Sequence, residues 1–378
     1  MRSAIYYGTA ALATLACASP TGSLSPQHHG RDEHNGGGYY HEGDSFKDLS
    51  PYLPDGFPSP SLEQINEIQE RAHGMLPNTP LPSHLSKDGI TNFKLIAFNE
   101  IFEVAFFFEL VQNITNNVDG YELGEGREEV LDDLTVILAV EELHALGANA
   151  ILQANGVDPI KPCRYNFPVS DYKSAIALAA TFTDVVLGAL QDVNDIFAQN
   201  AENGPVRLIS SVIGNEGEQE SLFRIIQKKT TPAQPFLTTS TREFAFTAVQ
   251  TFVVPGSCPN IGEIPLQTFQ PLNVLTQDIG PMTKDIRFSF SLQDVDVDLD
   301  ALSLVLINAQ NKPIVKKLEN IEVDHDHEEV TFAAKCAFNE SLFYGLTITA
   351  VTHSVASLDN AGAVAKEAIF GPGLIEVN

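Results

Sequence analysis

The sequence predicts an α+β multidomain protein in which a four-helix bundle precedes a small antiparallel β-sandwich. Three observations predict it. Four long stretches between residues 89 and 226 carry apolar side chains at helical spacing. Each has a polar residue in the middle of its apolar stripe, which is the pattern of a bundle with a polar centre. From Asp285 onward the apolar period falls to two, as in half-buried strands.

The chain has 378 residues, with 43% hydrophobic and 19% charged, enough for two domains. Its formal charge of -27 argues against nucleic acid as a partner, because a polyanion would be repelled. Residues 1–18 read as a secretory signal: Arg2, an apolar run, then Ala16-Cys17-Ala18 as the cleavage site. That run is too short to span a membrane, and no later stretch reaches about 18 uninterrupted apolar residues. The expectation is a secreted protein, extracellular or in the cell wall, with no membrane span.

Residues 19–60 are rich in Gly, Pro, Ser and His without apolar periodicity and read as a disordered arm. Its His28, His29, His34 and His41 are either loose metal ligands or part of a solvated tail. The bundle is expected over 61–260. Ser61 and Gln64 form a capping box, with Leu62, Ile65, Ile68 and Ala72 following at helical spacing.

The first long helix, 89–117, has an apolar stripe of Phe93, Ala97, Val104, Phe107, Val111 and Ile114, with Glu100 in its middle. Asn92, Asn99, Glu103, Asn113 and Asn117 form its polar stripe. The second helix, 128–153, places Glu141 and His144 inside a stripe that includes Leu134, Ile137, Leu138, Ala145 and Ala148. Glu128, Asp132, Thr135, Glu142, Asn149 and Gln153 make its polar face. A lone Glu or His in such a stripe is usually a satisfied hydrogen-bond partner. A Glu-x-x-His pair is different, because it presents an oxygen and a nitrogen to one ion from one helix face.

The third helix, 170–199, has Thr183 in the middle of its inward line and Asp184 on its polar side. The fourth starts at Asn203-Gly204-Pro205, and Glu216 and Gln219 interrupt its line of Ile209, Val212, Phe223 and Ile226. Long connections predict one crossover, and TREFAFTAVQTF predicts a short closing helix. Residues 261–284 read as a linker, and 285–378 as a sandwich of five to seven strands.

Cys17 leaves with the signal. Cys163 and Cys258 both lie in proline-rich coil beside the bundle and are expected to pair, while Cys336 lies inward on a strand with Phe332, Ala334 and Phe338 and stays a free thiol. Sequons at Asn339 and Asn113 are glycosylation candidates, with more room for a glycan at Asn339. Two acidic runs, Asp294 to Asp300 on alternate positions and Asp324-His325-Asp326-His327, read as wet surface, since no glycine-turned calcium loop accompanies them.

FNEIFEVAFFFELVQNIT, LAVEELHALGANA, RAHGMLPNTPLP and REFAFTAVQTFVVPGSCP together resemble the secreted fungal ferritin-like proteins described as late sexual development or stress-response proteins. The resemblance covers residues 60–260 well and the β half loosely. It implies a ferritin-like four-helix bundle with metal ligands at Glu100, Glu141, His144 and Glu216. Two positions depart from the di-iron pattern: Thr183 stands where the third helix supplies Glu, and Gln219 where the fourth supplies His. A hydroxyl and an amide are poor ligands for a divalent transition ion, so the resemblance implies a degenerate site holding one iron or other divalent ion, or none.

Three readings of function follow. The first is a non-enzymatic ferritin-like protein connected with fungal sexual development or stress. The second is a metal-dependent oxidase or peroxide scavenger with a mononuclear or weak dinuclear site. The third is a cell-wall or partner-binding protein acting through the β domain. Oligomeric state has no signature in the sequence.

Overall fold

A computed structural model of the chain describes residues 53–293, 295–353 and 357–377. The signal, residues 19–52 of the arm and Asp294 lie outside the described residues, whereas the end of the stretch read as a disordered arm packs on the bundle, with Leu53 and Phe57 buried in its core. A helical bundle is followed by a two-sheet antiparallel β region, as the sequence predicts.

The helical region begins with α1 (Leu62–Arg71), whose capping box between Ser61 and Gln64 forms in full. The bundle proper is α2 (Lys87–Thr115), α3 (Arg127–Ala154), α4 (Tyr172–Gln199) and α5 (Asn203–Ile226), closed by α6 (Arg242–Gln250). Short turns leave α2 packed chiefly on α3 and α4 chiefly on α5. The long connection, 155–171, joins the two pairs. It carries Cys163, bonded to Cys258 beyond α6, and Tyr165 bridges Val253 beside it. The start of α5 differs slightly from expectation: its N-cap is Glu202, so Pro205 is the third helical residue.

α2 is the axis of the bundle. Phe102 touches the rings of Tyr165, Phe167, Phe182 and Phe252, and Phe106 those of Phe107, Phe167 and Phe182, mostly edge to face. Packing on several sides corrects the sequence reading of this helix. Asn92, Asn99 and Glu103, read as a polar stripe, are all buried: α4 and α6 cover the side of α2 that α3 leaves free, and Glu103 turns to the carboxyls of the bundle centre. Asn92 donates to Val193 O and accepts from Arg242 Nη1. Glu142, read as part of the polar face of α3, is likewise buried, and Arg71 of α1 lies 3.4 Å from it.

The β region contains β1 (Asn273–Val274), β2 (Asp285–Ser291), β3 (Leu302–Asn308), β4 (Ile314–Lys317), β5 (Glu319–Asp324) and β6 (Glu329–Lys335). The short α7 (Phe338–Ser341), β7 (Gly345–His353), α8 (Ala361–Glu367) and β8 (Ala368–Val377) complete it. One sheet runs β1-β2-β6-β5 and the other β4-β3-β7-β8. These eight strands exceed the five to seven expected, and β1 lies inside the stretch read as linker.

The second sheet has no wet face at its centre. Residues of β3 and β7 are buried on both sides, because one face meets the first sheet and the other meets the bundle. Val185 and Ala189 of α4 and Phe244 and Ala245 of α6 share a core with Val305, Ile307, Leu346, Ile348 and Ala350. Gly188 permits this approach, since a Cβ there would stand 2.7 Å from Thr238 O. Thr238 in turn donates to Leu346 O and accepts from Ala309 N, stitching the loop to the sheet. Two helices, α3 and α4, are long and apolar enough by composition to cross a membrane, but here they pack within the bundle.

Candidate metal centre

Three helices converge on one point. Glu100 of α2, Glu141 and His144 of α3, and Glu216 of α5 each offer a ligand atom, and these atoms all lie within 4.8 Å of one another. Local helix geometry does the positioning. Residues three apart share a face, so Glu141 and His144 point inward together, with Nδ1 of His144 2.9 Å from Glu141 Oε2. The same nitrogen lies 3.4 Å from Glu100 Oε2 and 3.6 Å from Glu216 Oε1.

The three carboxylates are buried, and both oxygens of Glu100 and of Glu216 lack a hydrogen-bond partner. Unpaired carboxylate in low dielectric favours its protonated form. Burial accordingly pushes Glu100 up to about 8, against the opposing pull of His144. Burial and then the charges of Glu141, Glu103 and Glu100 push Glu216 well above the usual range. Burial also opposes ionisation of Glu141, but the charge and hydrogen bond of His144, together with the hydrogen bond from Gln219, outweigh it and hold this carboxyl low. Burial disfavours the charged form of His144, yet the charges of Glu141 and Glu100 raise it well above the ordinary value.

Gln219 and Thr183 differ from each other. The amide nitrogen of Gln219 donates to Glu141 and, at 3.2 Å, to Asn215 Oδ1, so it satisfies a carboxylate oxygen that a second ion would otherwise take. Thr183 is buried with its hydroxyl unpartnered.

Glu103 is a member of the polar centre that the sequence reading placed on a solvated stripe. It is fully buried, neither oxygen has a partner, and burial followed by the charges of Glu141 and Glu100 raises it well above the usual range. Its spacing of three from Glu100 was the available signal, because that spacing shares a helix face.

The donor set fits one ion. Three carboxylates and an imidazole are a normal complement for a divalent transition metal, and the orphaned oxygens of Glu100 and Glu216 are the groups an ion would satisfy. Among the described residues no other group of this kind is found. Asp296, Asp298 and Asp300 are exposed, and the exposed His327 simply pairs with Asp324 at 2.7 Å.

Of the remaining predicted positions, Cys163 and Cys258 form the disulfide already described, and Cys336 is a buried free thiol, pushed by burial up to about 12. Asn339 is exposed on α7, whereas Asn113 is half-buried on α2.

Residues 89–229 match the family model described as a ferritin-like domain. No curated protein matches the chain. A ferritin-like domain is therefore present, and the match covers all four residues that form the centre, on three of its helices.

Proposed function

We propose that this chain is a secreted ferritin-like metal-binding protein whose di-metal site has lost its second ion position. In this reading it acts without catalytic turnover, in fungal sexual development or the stress response. One observation carries the metal part: Glu100, Glu141, His144 and Glu216 converge within 4.8 Å while the oxygens of Glu100 and Glu216 have no hydrogen bond and share the single imidazole of His144. Thr183 and Gln219 support the single ion, since neither supplies a charged or imidazole ligand on its side of the centre. A bound ion would supply positive charge and Lewis acidity. The protein's own residues hold it, exclude water from it and set the protonation of the carboxyls around it.

Secretion is supported by the Ala16-Cys17-Ala18 cleavage pattern and by a disulfide of the kind that persists in oxidising compartments. Under this reading Asn339 carries a glycan. The developmental role rests on the resemblance of residues 60–260 alone. A second reading, a metal-dependent oxidase or peroxide scavenger, is favoured by a cavity that borders Glu100 and His144 and would admit a substrate.

The test is elemental analysis and Fe(II) oxidation on protein prepared without chelators. The natural protein is expected to hold one ion per chain, His144→Ala none, and the double variant Thr183→Glu with Gln219→His two. Two irons and rapid Fe(II) oxidation in the natural protein would overturn the proposal.

A further inference from the structure

The bundle is open on one side. α3 packs on α1 and α2 and α5 packs on α4, with little contact between α3 and α5 themselves. A cavity of about 410 Å³ lies in that gap, roofed by the segment 72–82. Such a volume falls in the range of small-molecule sites, about 300–1,000 Å³.

Its shape follows from the residues that line it. On α3 the lining runs from Val140 to Ile151, and on α5 from Gly204 to Asn215. At about 1.5 Å of rise per residue, each helix follows the cavity for roughly 16 Å. A volume of about 410 Å³ over that length leaves a cross-section of about 25 Å², which makes the cavity a channel about 5–6 Å across. Carbon atoms pack about 3.5–4.0 Å apart, so an extended hydrocarbon chain is about 4–5 Å thick and fits singly. At about 1.3 Å per carbon, roughly twelve carbons fill the length.

The wall is aliphatic. Leu143, Leu208, Ile209 and Val212 line it from the helices, and Leu76 from the roof. Among the described residues Glu100 and His144 are the only ionisable side chains on it, and they stand at one end with Asn215, which Gln219 joins to the same centre. Along the remaining length Ser211 turns its hydroxyl on Leu208 O at 2.7 Å, and Pro77, Pro80 and Pro82 of the roof carry no N–H. A ligand lying there meets few hydrogen-bonding groups, which disfavours sugars and peptides and suits a run of methylenes.

Two features build the channel into the fold. The roof is pinned at both ends, where Leu76 N donates to Gln69 Oε1 at 3.0 Å and Asn155 Nδ2 donates to Pro82 O at 2.9 Å. Its Met75 and Leu81 are 68% and 38% exposed, so the rim is apolar as well. The other feature is Gly147, midway along the α3 wall. A Cβ there would meet only Leu76 Cδ2, at 3.7 Å, so alanine fits and a larger side chain would enter the channel.

We propose that this channel binds one unbranched aliphatic chain of about ten to twelve carbons, laid along α3 and α5 beneath the segment 72–82. Its length, width and aliphatic wall select that chain, and they are present whether or not the centre holds an ion. The chain belongs to a free hydrocarbon or to a lipid. The test is headspace gas chromatography of straight-chain alkanes from hexane to tetradecane over the protein, metal-free and metal-loaded, beside isooctane, adamantane and methyl dodecanoate.

One alkane per protein is expected to bind, about fourfold more tightly for each added methylene, with no further gain beyond about twelve carbons. Isooctane and adamantane, both wider than the channel, should bind at least tenfold more weakly than octane and decane. Gly147→Leu is expected to weaken dodecane binding at least tenfold and Gly147→Ala less than threefold, with metal content and circular dichroism unchanged. Should Gly147→Leu fail to fold, Val212→Phe carries the same expectation. Methyl dodecanoate binding like dodecane assigns the channel to lipid chains, and its exclusion assigns it to free hydrocarbon; either result upholds the proposal. No uptake of alkane, the wide hydrocarbons binding as tightly as the straight ones, or a filled variant binding like the natural protein would each overturn it. Metal stoichiometry is measured on the same samples, so either reading can fail while the other stands.

Discussion

The protein buries two groups of carboxylates, and they are neutralised in opposite ways. At the bundle centre Glu100, Glu103, Glu141 and Glu216 face one imidazole, that of His144. At the seam between the bundle and β8, Asp184, Glu220 and Glu376 face two cations of the chain itself, Arg224 and Lys229. Asp184, next to Thr183 on α4, belongs to the seam. The seam supplies its own charges without hydrogen-bonding all of them: Arg224 Nη1 lies 3.8 Å from Glu220 Oε1, its Nε donates to Thr230 O, and Asp184 and Glu376 share a hydrogen bond, while both Glu220 oxygens have no hydrogen bond. The centre has no such internal cation beyond His144. The difference teaches that burial of acid alone does not mark a ligand site; burial of acid without enough matching base does.

The sharpest way to break this comparison is to remove the seam's own cation. Arg224→Met should destabilise the fold by about 3–5 kcal/mol in urea denaturation, the usual cost of stranding one side of a buried ion pair. A loss below about 1 kcal/mol would show that the seam does not rely on Arg224.

Next in size is the response to metal. A divalent transition ion at a hundred times its dissociation constant should raise stability by about 2.7 kcal/mol through the centre. His144→Ala should abolish that gain and Arg224→Met should keep it, as read by thermal unfolding with and without chelator.

The raised carboxyls of both groups should respond to pH, and the seam offers the variant that reads it. Burial, then the charge of Asp184, raises Glu220 from 4.5 to about 9, and burial raises Asp184 from 3.8 to about 6, against the opposing charges of Arg224 and Lys229. Glu376 rises as well, for the same leading reason. A carboxyl raised in the folded state contributes its stability in full below its unfolded value and loses it as pH climbs through its folded value. Stability should therefore fall between about pH 4.5 and 9. Glu220→Gln should flatten that fall by on the order of 2 kcal/mol, measured as denaturant midpoints across the range.

The smallest effect concerns Glu103. As a buried, protonated carboxyl without partners it should tolerate Glu103→Gln, with unchanged metal content and a gain of at most about 1 kcal/mol at neutral pH. A drop in bound metal would instead make Glu103 a ligand and enlarge the centre.

Glu100, Glu141, His144 and Glu216 were legible in the sequence because each breaks an apolar period, and a charged residue inside such a stripe is visible without any partner. Glu103, Glu142 and Asp184 were not, because each lies on a face where charge is the ordinary expectation. What buries them comes from elsewhere in the chain: α4 and α6 over α2, α1 with Arg71 over Glu142, and β8 with Glu376 beside Asp184. β8 itself is hard to read, since Gly371-Pro372-Gly373 looks like a turn in isolation.

By itself, then, the sequence determined the order of elements, the change of period at Asp285 and the inward residues of four helices, because these follow from spacing along one chain. Only the tertiary structure decided which polar faces stay wet, that the second sheet is covered on both sides, and that the seam carries its own counter-charges. Those outcomes depend on contacts between residues far apart in sequence, such as Asp184 with Glu376 and Val185 with the sheet, and spacing along one element carries no information about them.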